Sequence, residues 1–295
     1  MPARPLGHWL LLFSLVAMWG SSFPATKVAV ADLPPATIVA ARMTISAFVL
    51  AAMMVAFGRR LSARPRLWAW FAALACIGNV LPFLLITWGQ QRIDAGMAGM
   101  LMAIMPLMTL LLAHRFVAGE RLTARRLAGF LLGLTGVVIL LAPDVEVAAL
   151  ARDSALLAKL AVLAGALCYA INAILARHRP PGDSLSVATG TSVVAALLLL
   201  PLAWFVDGPP FGAISLASAA AVAFLGVVAT ALATVVYFQI IATAGPSFLA
   251  FINYLIPLWA VAASALLLAE RPHPRSLLAL ALVLIGIAVA ESRRR

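Results

Sequence analysis

Long apolar runs follow one another along the whole chain, separated by short stretches that hold proline, glycine or charged residues. An α-helix needs about 20 apolar residues to cross the hydrocarbon core of a bilayer, and ten runs approach or exceed that length. They extend over roughly Leu6–Val30, Pro35–Phe57, Leu67–Gln90, Gly96–Val117, Leu127–Ala142, Ala155–Arg177, Leu185–Phe205, Ser215–Ile241, Pro246–Ala269 and Ser276–Ala290. The pattern predicts an all-α polytopic membrane protein with ten transmembrane helices.

The first run also has features of a secretory signal peptide, because Arg4 precedes it and Ala29-Val30-Ala31 imitates a cleavage site. The apolar core of a signal peptide has about 7–15 residues, whereas this run is nearly a full crossing. We therefore expect it to be retained as the first helix.

Composition excludes a soluble protein. Of the 295 residues, 64% are hydrophobic and 11% are charged, against roughly 45–50% and 25% in ordinary globular chains. The net charge of +11 does not indicate a nucleic-acid partner, because the basic residues lie in short loops between the apolar runs. Cys76 and Cys168 fall inside apolar runs without metal-ligand spacing, so we expect no metal and no cofactor.

The loop charges predict the orientation of the chain. One set of loops, together with both termini, carries 14 of the 21 basic residues, and the opposite set carries five. The remaining two, Lys27 and Arg42, lie within predicted spans. Cytoplasmic loops are enriched in Lys and Arg, so both termini are predicted to be cytoplasmic, which requires an even number of crossings.

The two halves of the chain repeat one another. The segment 88–96, Trp-Gly-Gln-Gln-Arg-Ile-Asp-Ala-Gly, matches the segment 237–245, Tyr-Phe-Gln-Ile-Ile-Ala-Thr-Ala-Gly, at an offset of 149 residues. Three further residues recur in the same order, namely Pro106, Glu120 and Arg121 in the first half and Pro257, Glu270 and Arg271 in the second. Five helices are an odd number, so repeats over 1–145 and 150–295 cross the membrane in opposite directions. Inverted repeats are typical of transporters, which bind substrate between them near the midplane; the alternative is chance similarity between two apolar segments.

Three sequence features resemble a known family: Trp19-Gly20-Ser21-Ser22-Phe23 in the first helix, Arg42 in the second, and Gly119-Glu120-Arg121-Leu122 before a glycine-rich fifth helix. They resemble the drug/metabolite transporter superfamily. More narrowly, nearly the whole chain is similar to the ten-helix EamA-type exporters, and most similar to the YddG-type exporters of aromatic and other amino acids. The resemblance implies two inverted five-helix units around a central cavity, a location in the bacterial inner membrane, and export of small metabolites.

Polar and aromatic side chains at membrane depth are the candidate substrate ligands, because such groups are costly there unless they are paired or face water. Asparagine can bind an amino or carboxylate group without a charge of its own, and an aromatic face can hold an apolar group or an ammonium. The candidates are Trp19, Ser22, Phe23, Asn79, Phe83, Met100, Tyr169, Asn172, Tyr237, Asn253 and Tyr254. The alternative is that these side chains join neighbouring helices by hydrogen bonds and packing.

Four prolines lie inside predicted helices: Pro24, Pro82, Pro106 and Pro257. Proline removes a backbone hydrogen bond and kinks a helix, so these positions are candidate hinges for a cavity that switches sides. The alternative is a static kink. Pro106 and Pro257 occupy matching positions of the two repeats, which favours gating at that pair.

Two cations lie within the spans. Lys27 is close enough to the end of its helix to extend its ammonium group to the membrane surface. Arg42 lies about seven residues inside Pro35, which is on the order of 10 Å of helix. Its guanidinium could reach the surface, attract a substrate carboxylate or brace an open cavity, and the family resemblance favours the second and third roles.

No Asp or Glu lies deep in any predicted span, because Glu120, Glu270 and Glu291 are all at helix ends. Proton-driven export of cations usually needs a buried carboxylate, so a neutral or zwitterionic cargo fits better. His114 could carry a proton, although its place beside Arg115 is typical of an interfacial side chain.

The sequence therefore predicts an alternating-access carrier that exports small metabolites, foremost amino acids, with the lipid bilayer and a small-molecule substrate as its partners. Proton-coupled efflux of drugs or other metabolites and a small-solute channel remain alternatives. An enzyme is not expected, because the chain has no HExxH motif, no buried aspartate pair and no Ser–His combination on facing spans. Gly129, Gly133 and Gly136 favour close helix contact within one chain or between copies, which leaves a monomer or a weak homodimer.

Overall fold

A computed structural model describes residues 5–61, 64–117, 119–120, 122–142, 149–178, 183–209, 212 and 214–291. Arg4, Arg121, Arg179 and Arg293–Arg295, which contribute to the predicted orientation, lie outside these ranges, and so does the side chain of Arg152. Throughout the described ranges the regular structure is helical and contains no strand.

Within the described ranges, ten helices are long and apolar enough to span a membrane, as the apolar runs predict. They are α1 Leu6–Ala29, α2 Pro35–Ala56, α3 Pro65–Gln90, α4 Ala95–Phe116, α5 Ala124–Leu141, α6 Ser154–His178, α7 Ser184–Val206, α8 Leu216–Ala244, α9 Pro246–Leu268 and α10 Pro274–Glu291. Each boundary lies within three residues of its predicted position. An even number of crossings puts both termini on one side of the membrane, here called the termini side; the opposite side is called the far side.

Local sequence explains where several helices begin. Proline is the first residue of α2, α3, α9 and α10, where its missing N–H costs nothing and its fixed φ suits the first turn. At the starts of α5, α7 and α8, the side chains of Thr123, Asp183 and Ser215 accept hydrogen bonds from backbone N–H groups of the first turn. Such caps satisfy donors that the helix itself leaves without partners.

The contacts between helices have a twofold pattern. They are preserved when each helix of one repeat is exchanged for the equivalent helix of the other, so that α1 takes the place of α6, α2 that of α7, and so on. The contacts α5–α10, α2–α7 and α4–α9 map onto themselves, α1–α8 maps onto α6–α3, and α1–α9 maps onto α6–α4. The first helix of each repeat therefore packs mainly against the other repeat. Two interlocked, inverted five-helix repeats form the fold, in agreement with the sequence prediction.

The glycines of α5 are used inside the chain. A Cβ atom on Gly129 would lie 2.5 Å from the carbonyl oxygen of Gly286, and one on Gly136 would lie 2.6 Å from that of Ala279. Both distances are far below van der Waals contact, so α5 and α10 touch backbone to backbone. Of the two alternatives for this glycine stripe, the structure shows contact within one chain.

Five spans depart from regular α-helix. The helix of α1 stops at Gly20 and resumes at Ser22, while α4 is interrupted at residues 103–104 and α9 at 250–251. The helices α3 and α8 continue through wider π-helical turns, Cys76–Val80 and Val227–Leu232. Because α3 and α8 are equivalent, as are α4 and α9, these four irregularities recur in both repeats, whereas the break in α1 has no counterpart in the continuous helix α6. Broken or widened helices are common at transporter and functional sites.

Prolines follow most of these irregularities. Pro24 and Pro106 lie in the first turn after the breaks in α1 and α4, and Pro82 is the second residue after the π-helical turn of α3. A proline ring clashes with the carbonyl four residues before it, which explains why the irregularity lies just upstream. Pro257 lies farther inside the second segment of α9. Hinge motion at these prolines stays a prediction.

Candidate functional site

Arg42 of α2 is a cation buried within a membrane span, with 7% of the residue exposed. Its guanidinium carbon lies 3.8 Å from the centroid of the Phe83 ring, and its Nε donates to Thr230 Oγ1 at 2.8 Å. Among the described residues no carboxylate lies within ion-pair distance of Arg42, and none accepts a hydrogen bond from its two terminal nitrogens. The arginine thus points into the protein rather than to the membrane surface, and its charge has no counter-ion within the described chain.

Thr230, which the sequence analysis did not single out, comes from the π-helical turn of α8. Its residue is 7% exposed, and its hydroxyl donates to the Leu225 carbonyl at 2.7 Å. A threonine in an apolar run carries no distinguishing signal in the sequence. Its role becomes visible only when the helix geometry and the neighbouring helix are known.

Four of the predicted aromatic residues form two pairs. Phe83 and Tyr169 meet edge to face with ring centroids 6.3 Å apart, and Trp19 and Tyr237 meet at 5.5 Å with a tilt of 42°. The first pair joins α3 to α6 and the second joins α8 to α1, which are equivalent helix pairs of the two repeats. The structure therefore brings together four of the predicted side chains in two matched pairs.

Two predicted amides lie beside the π-helical turn of α3. Asn79 is the fourth residue of that turn, as Thr230 is of the turn in α8. The amide of Asn172 lies against Gly78, where an added Cβ would come within 2.7 Å of it. Its Oδ1 is buried without a hydrogen-bond partner, which costs about 1–3 kcal/mol. A role for the two amides in binding substrate stays a prediction.

Other predicted ligands point elsewhere. The Ser22 hydroxyl donates to the Trp19 carbonyl at 2.6 Å, while Phe23 and Met100 are 8% and 1% exposed in the largest apolar core cluster. Asn253 is the second residue of the second segment of α9, and the Tyr254 hydroxyl donates to Glu291 Oε2 at 3.0 Å. A role for these residues in binding substrate stays a prediction.

The Trp19–Phe23 segment has a structural use that the sequence analysis missed. A Cβ on Gly20 would lie 2.5 Å from the Trp259 ring, and Trp259 Nε1 donates to Ser21 Oγ at 2.9 Å. Small residues at the break in α1 thus receive the indole of α9. Within the segment, Trp19 is the side chain that reaches an aromatic partner of the candidate site.

Several bonds join helix ends on the far side. Lys27 Nζ donates to the carbonyls of Gln90 and Ile93 at 2.9 and 2.8 Å, so its ammonium holds the end of α3. Glu270, in the loop between α9 and α10, accepts from the backbone N–H groups of Ala95 and Gly96 at 2.8 and 2.9 Å. The carboxylate of the second repeat therefore caps α4 of the first, where the helix dipole favours negative charge.

Two aspartates complete these far-side contacts. Asp207 accepts from the N–H and the hydroxyl of Thr37 at 2.7 and 2.9 Å. Asp32 accepts from the N–H of Ser215 at 3.1 Å and from its hydroxyl. Hydrogen bonds from Ser215 and Ser218 hold the pKa of Asp32 below its ordinary value. Both aspartates join residues of opposite repeats.

On the termini side, ion pairs take the place of these backbone contacts. Glu120, the equivalent of Glu270, lies 3.1 Å from Arg126 and 3.9 Å from Arg177, and Arg59 pairs with Asp183. Partial burial raises the pKa of Asp183, but hydrogen bonds from Ser186 and Arg59 outweigh it and the pKa is lowered.

His114, a sequence-level candidate for proton transfer, lies at the same side. Its Nδ1 accepts from the N–H of Leu122 at 3.1 Å. The imidazole therefore braces the loop between α4 and α5.

A family model described as "EamA-like transporter family" matches residues 7–142 and 156–291. The chain belongs to the EamA-like transporter family. The two matches correspond to the two halves that pack with twofold exchange, and they confirm the predicted resemblance. An EamA-type chain with ten apolar helices is a multi-pass membrane transporter and not an enzyme.

Curated relatives of this EamA-type protein extend over almost all of it. A protein of Streptantibioticus cattleyicolor named "Probable terminal-alkyne amino-acid exporter" is 28% identical over 97% of this chain and 93% of its own. Protein PagO of Salmonella typhimurium is 24% identical over 94% of this chain and 90% of its own. A protein of known crystal structure superposes with a TM-score of 0.66 at 24% identity, covering 97% of both chains, which supports the fold.

Proposed function

We propose that the protein exports amino acids, aromatic and other neutral ones foremost, and that Arg42 holds the substrate carboxylate. The observation that carries this proposal is a buried guanidinium with no carboxylate partner among the described residues. An uncompensated charge inside a membrane protein is costly and typically marks a substrate or ion path. A carboxylate that binds the two terminal nitrogens compensates the charge with two parallel hydrogen bonds.

The aromatic pairs supply the rest of a zwitterion site. The ring of Phe83 supports the guanidinium face, and Tyr169 packs on that ring. Trp19 and Tyr237 offer faces for an apolar side chain or an ammonium group. The name of the Streptantibioticus relative, an amino-acid exporter, supports the same substrate class.

The distribution of carboxylates favours a carrier without proton coupling. Within the described spans, Glu291 is the only acidic residue. It is the last residue of α10 and bonds to Tyr254. A membrane-buried carboxylate is the usual proton site in coupled exporters. Facilitated export down the amino-acid gradient is therefore the mechanism we propose, in the bacterial inner membrane with cytoplasmic termini.

Alternating access is supported by the two sides of the molecule. On the far side, Glu270, Asp207 and Asp32 bond to backbone groups of the opposite repeat, and on the termini side exposed ion pairs prevail. We infer that the described conformation is closed on the far side. The units that move are the repeats 1–145 and 150–295 in a monomer or weak homodimer, with Pro106 and Pro257 as the paired hinges.

The test uses purified protein in liposomes loaded with labelled amino acids, with and without a pH gradient. Arg42→Gln is expected to reduce saturable flux at least about tenfold, because a hydrogen-bonded charge contact is worth about 1.5–3 kcal/mol. Arg92→Gln, at an exposed arginine of the far side, is the matched control and is expected to transport normally. Folding of each variant is checked by its elution as a single species and by its melting temperature.

The outcomes separate the candidate functions. Saturable flux with counterflow exchange, indifferent to the gradient and lost in Arg42→Gln, supports the proposal. Flux that requires the gradient indicates proton-coupled efflux, and flux without saturation or counterflow indicates a channel. Unchanged KM in a folded Arg42→Gln protein overturns the proposed role of Arg42.

A further inference from the structure

The donor and acceptor roles of the Thr230 hydroxyl are fixed by its two hydrogen-bond partners. It donates to the Leu225 carbonyl at 2.7 Å and accepts from Arg42 Nε at 2.8 Å. A hydroxyl has one proton, and the carbonyl uses it, so the lone pairs must serve the arginine. An arginine side chain carries hydrogen-bond donors and no acceptor. The Nε–H donor of Arg42 therefore meets an acceptor lone pair of the Thr230 hydroxyl.

The π-helical turn of α8 produces this orientation. In regular helix, Ser and Thr hydroxyls bond the carbonyl three or four residues before them, as Thr44 does to Ala40 and Thr234 does to Thr230. Thr230 instead bonds to Leu225, five residues before it. The wider turn thus gives the Thr230 side chain a different orientation from that of a threonine in regular α-helix, and the side chain points toward α2.

Close packing of α8 on α2 makes the short side chain sufficient. A Cβ on Gly226, the residue before the π-helical turn, would lie 2.6 Å from Ile45 Cβ and 3.1 Å from the Arg42 carbonyl oxygen. The two helices therefore approach through a glycine. Thr230 lies one turn farther along α8, and at this helix separation its short side chain is long enough to reach Arg42 Nε.

Two contacts together fix the plane of the guanidinium. Thr230 holds the Nε position, and the Phe83 ring lies against the planar face at 3.8 Å. With Nε and the face both in contact, the remaining edge with the two terminal nitrogens can point in one direction only. Bidentate binding of a carboxylate needs that edge to be aligned with it.

We propose that Thr230 is a positioning residue that orients the Arg42 guanidinium for a substrate carboxylate and so sets the preference for acids over their amides. The proposal rests on the proposed function of Arg42. The hydroxyl acts through the arginine and does not itself touch substrate.

The test compares Thr230→Val, which keeps the β-branched shape and removes the hydroxyl, with Thr230→Ser, which keeps the hydroxyl. In liposomes, Thr230→Val is expected to raise KM about tenfold, because the contact to a charged donor is lost, with a smaller change in maximal flux. Competition by the amino-acid amide, which lacks the carboxylate, is expected to approach competition by the free amino acid in Thr230→Val. In Thr230→Ser, the preference for the acid is expected to return.

Thr234→Val is the matched control, since that hydroxyl bonds only within α8 at 2.6 Å. It is expected to keep KM and the preference for the acid. A second measurement places Thr230→Val in an Arg42→Lys background. Lysine has no planar fork to orient, so the Thr230 substitution is expected to have no further effect there.

Failure of the two proposals can be distinguished. If Arg42→Gln abolishes flux and a folded Thr230→Val protein keeps both KM and the preference for the acid, positioning by Thr230 is refuted and the carboxylate site stands. An equal effect of Thr230→Val in the wild-type and Arg42→Lys backgrounds also refutes it, because the effect then does not pass through Arg42. Should Thr230→Val fail to fold, the KM and acid preference of Thr230→Ala decide by the same criteria.

Discussion

The far side and the termini side of the molecule use the same kinds of residue in different ways. On the far side, carboxylates of one repeat bond to backbone N–H groups of the other, as Glu270 does with Ala95 and Gly96. On the termini side, Glu120 faces Arg126 and Arg177. Exposed ion pairs are worth about 0–1 kcal/mol, and charge-assisted bonds to fixed backbone donors are stronger. This difference supports the inference that the described conformation is closed more firmly on the far side.

Glu120 and Glu270 show that a repeated residue does not have a repeated role in one conformation. The two occupy matching positions of the repeated motif, and the repeats are inverted. In such transporters the two halves exchange conformations as the site is exposed to either side. We expect Glu270 to release α4 when the far side opens, and Glu120 to take the corresponding place at the start of α9.

The largest effect is expected from a substitution that weakens the contacts between the repeats on the far side. Glu270→Gln removes the charge that caps α4 and is expected to increase far-side labelling of a Ser264→Cys reporter at least about fivefold, since loss of one such bond shifts a two-state equilibrium by about 1–3 kcal/mol. Ser264 is 1% exposed in the described conformation and lies next to Gly96. The measurement is the rate of reaction with a membrane-impermeant maleimide in a background without Cys76 and Cys168.

Glu120→Gln is the matched control for that experiment, because it makes the same chemical change at the equivalent position. It is expected to leave far-side labelling unchanged or to reduce it. Equal labelling of Glu270→Gln and the parent protein would mean that the cap does not hold the far side closed.

A smaller effect is expected when a contact within one repeat is removed, and it can be compared with the loss of a contact between the repeats. Lys27→Met removes the donor to the Gln90 and Ile93 carbonyls, both in the same repeat as Lys27. We expect the melting temperature to fall by roughly 2–6 °C, while labelling of the Ser264→Cys reporter stays at the parental rate. Increased labelling would contradict the assignment of this contact to stability rather than to closure.

The smallest effect concerns acid pH. The pKa values of Asp32 and Asp183 are lowered in the folded protein, so each carboxylate stabilises the fold above its ordinary pKa of about 4. That contribution is lost as the pH falls through the lowered folded-state pKa. Melting temperatures between about pH 6 and pH 3 are expected to decline less steeply in Asp32→Asn and Asp183→Asn than in the parent. Parallel curves for all three proteins would contradict the role of these carboxylates.

The spans and the repeats could be predicted because they depend on length, hydropathy and order along the chain. Every predicted span is present, and the match of residues 88–96 to 237–245 corresponds to equivalent helices. Depth can be estimated from position, which is how Arg42, Phe83 and Tyr169 were found. A helix that is apolar all round gives no indication of which side faces the interior, and so the sequence could not show that Phe23 and Met100 are buried among apolar side chains; their role in binding stays a prediction.

Local backbone irregularity is a second feature that the sequence does not reveal. Nothing in Val227–Leu232 distinguishes a π-helical turn from regular helix in the sequence, and without that turn Thr230 would bond one residue nearer along its own helix. Trp259 was missed for a related reason, since its partner site is created by the break in α1 at Ser21. Both residues acquire their roles from geometry that arises only when the helices pack.

The backbone contact of α5 with α10 has a consequence for the transport cycle. Exchange of the two repeats maps this helix pair onto itself, and its two helices touch backbone to backbone, with no side chain between them that could repack. In the proposed transport cycle we therefore expect this pair to stay fixed while the other helices move, and its glycines to keep their conformation. Bulkier residues at Gly129 or Gly286 are expected to reduce the yield of assembled protein and to leave the turnover of the surviving molecules unaltered.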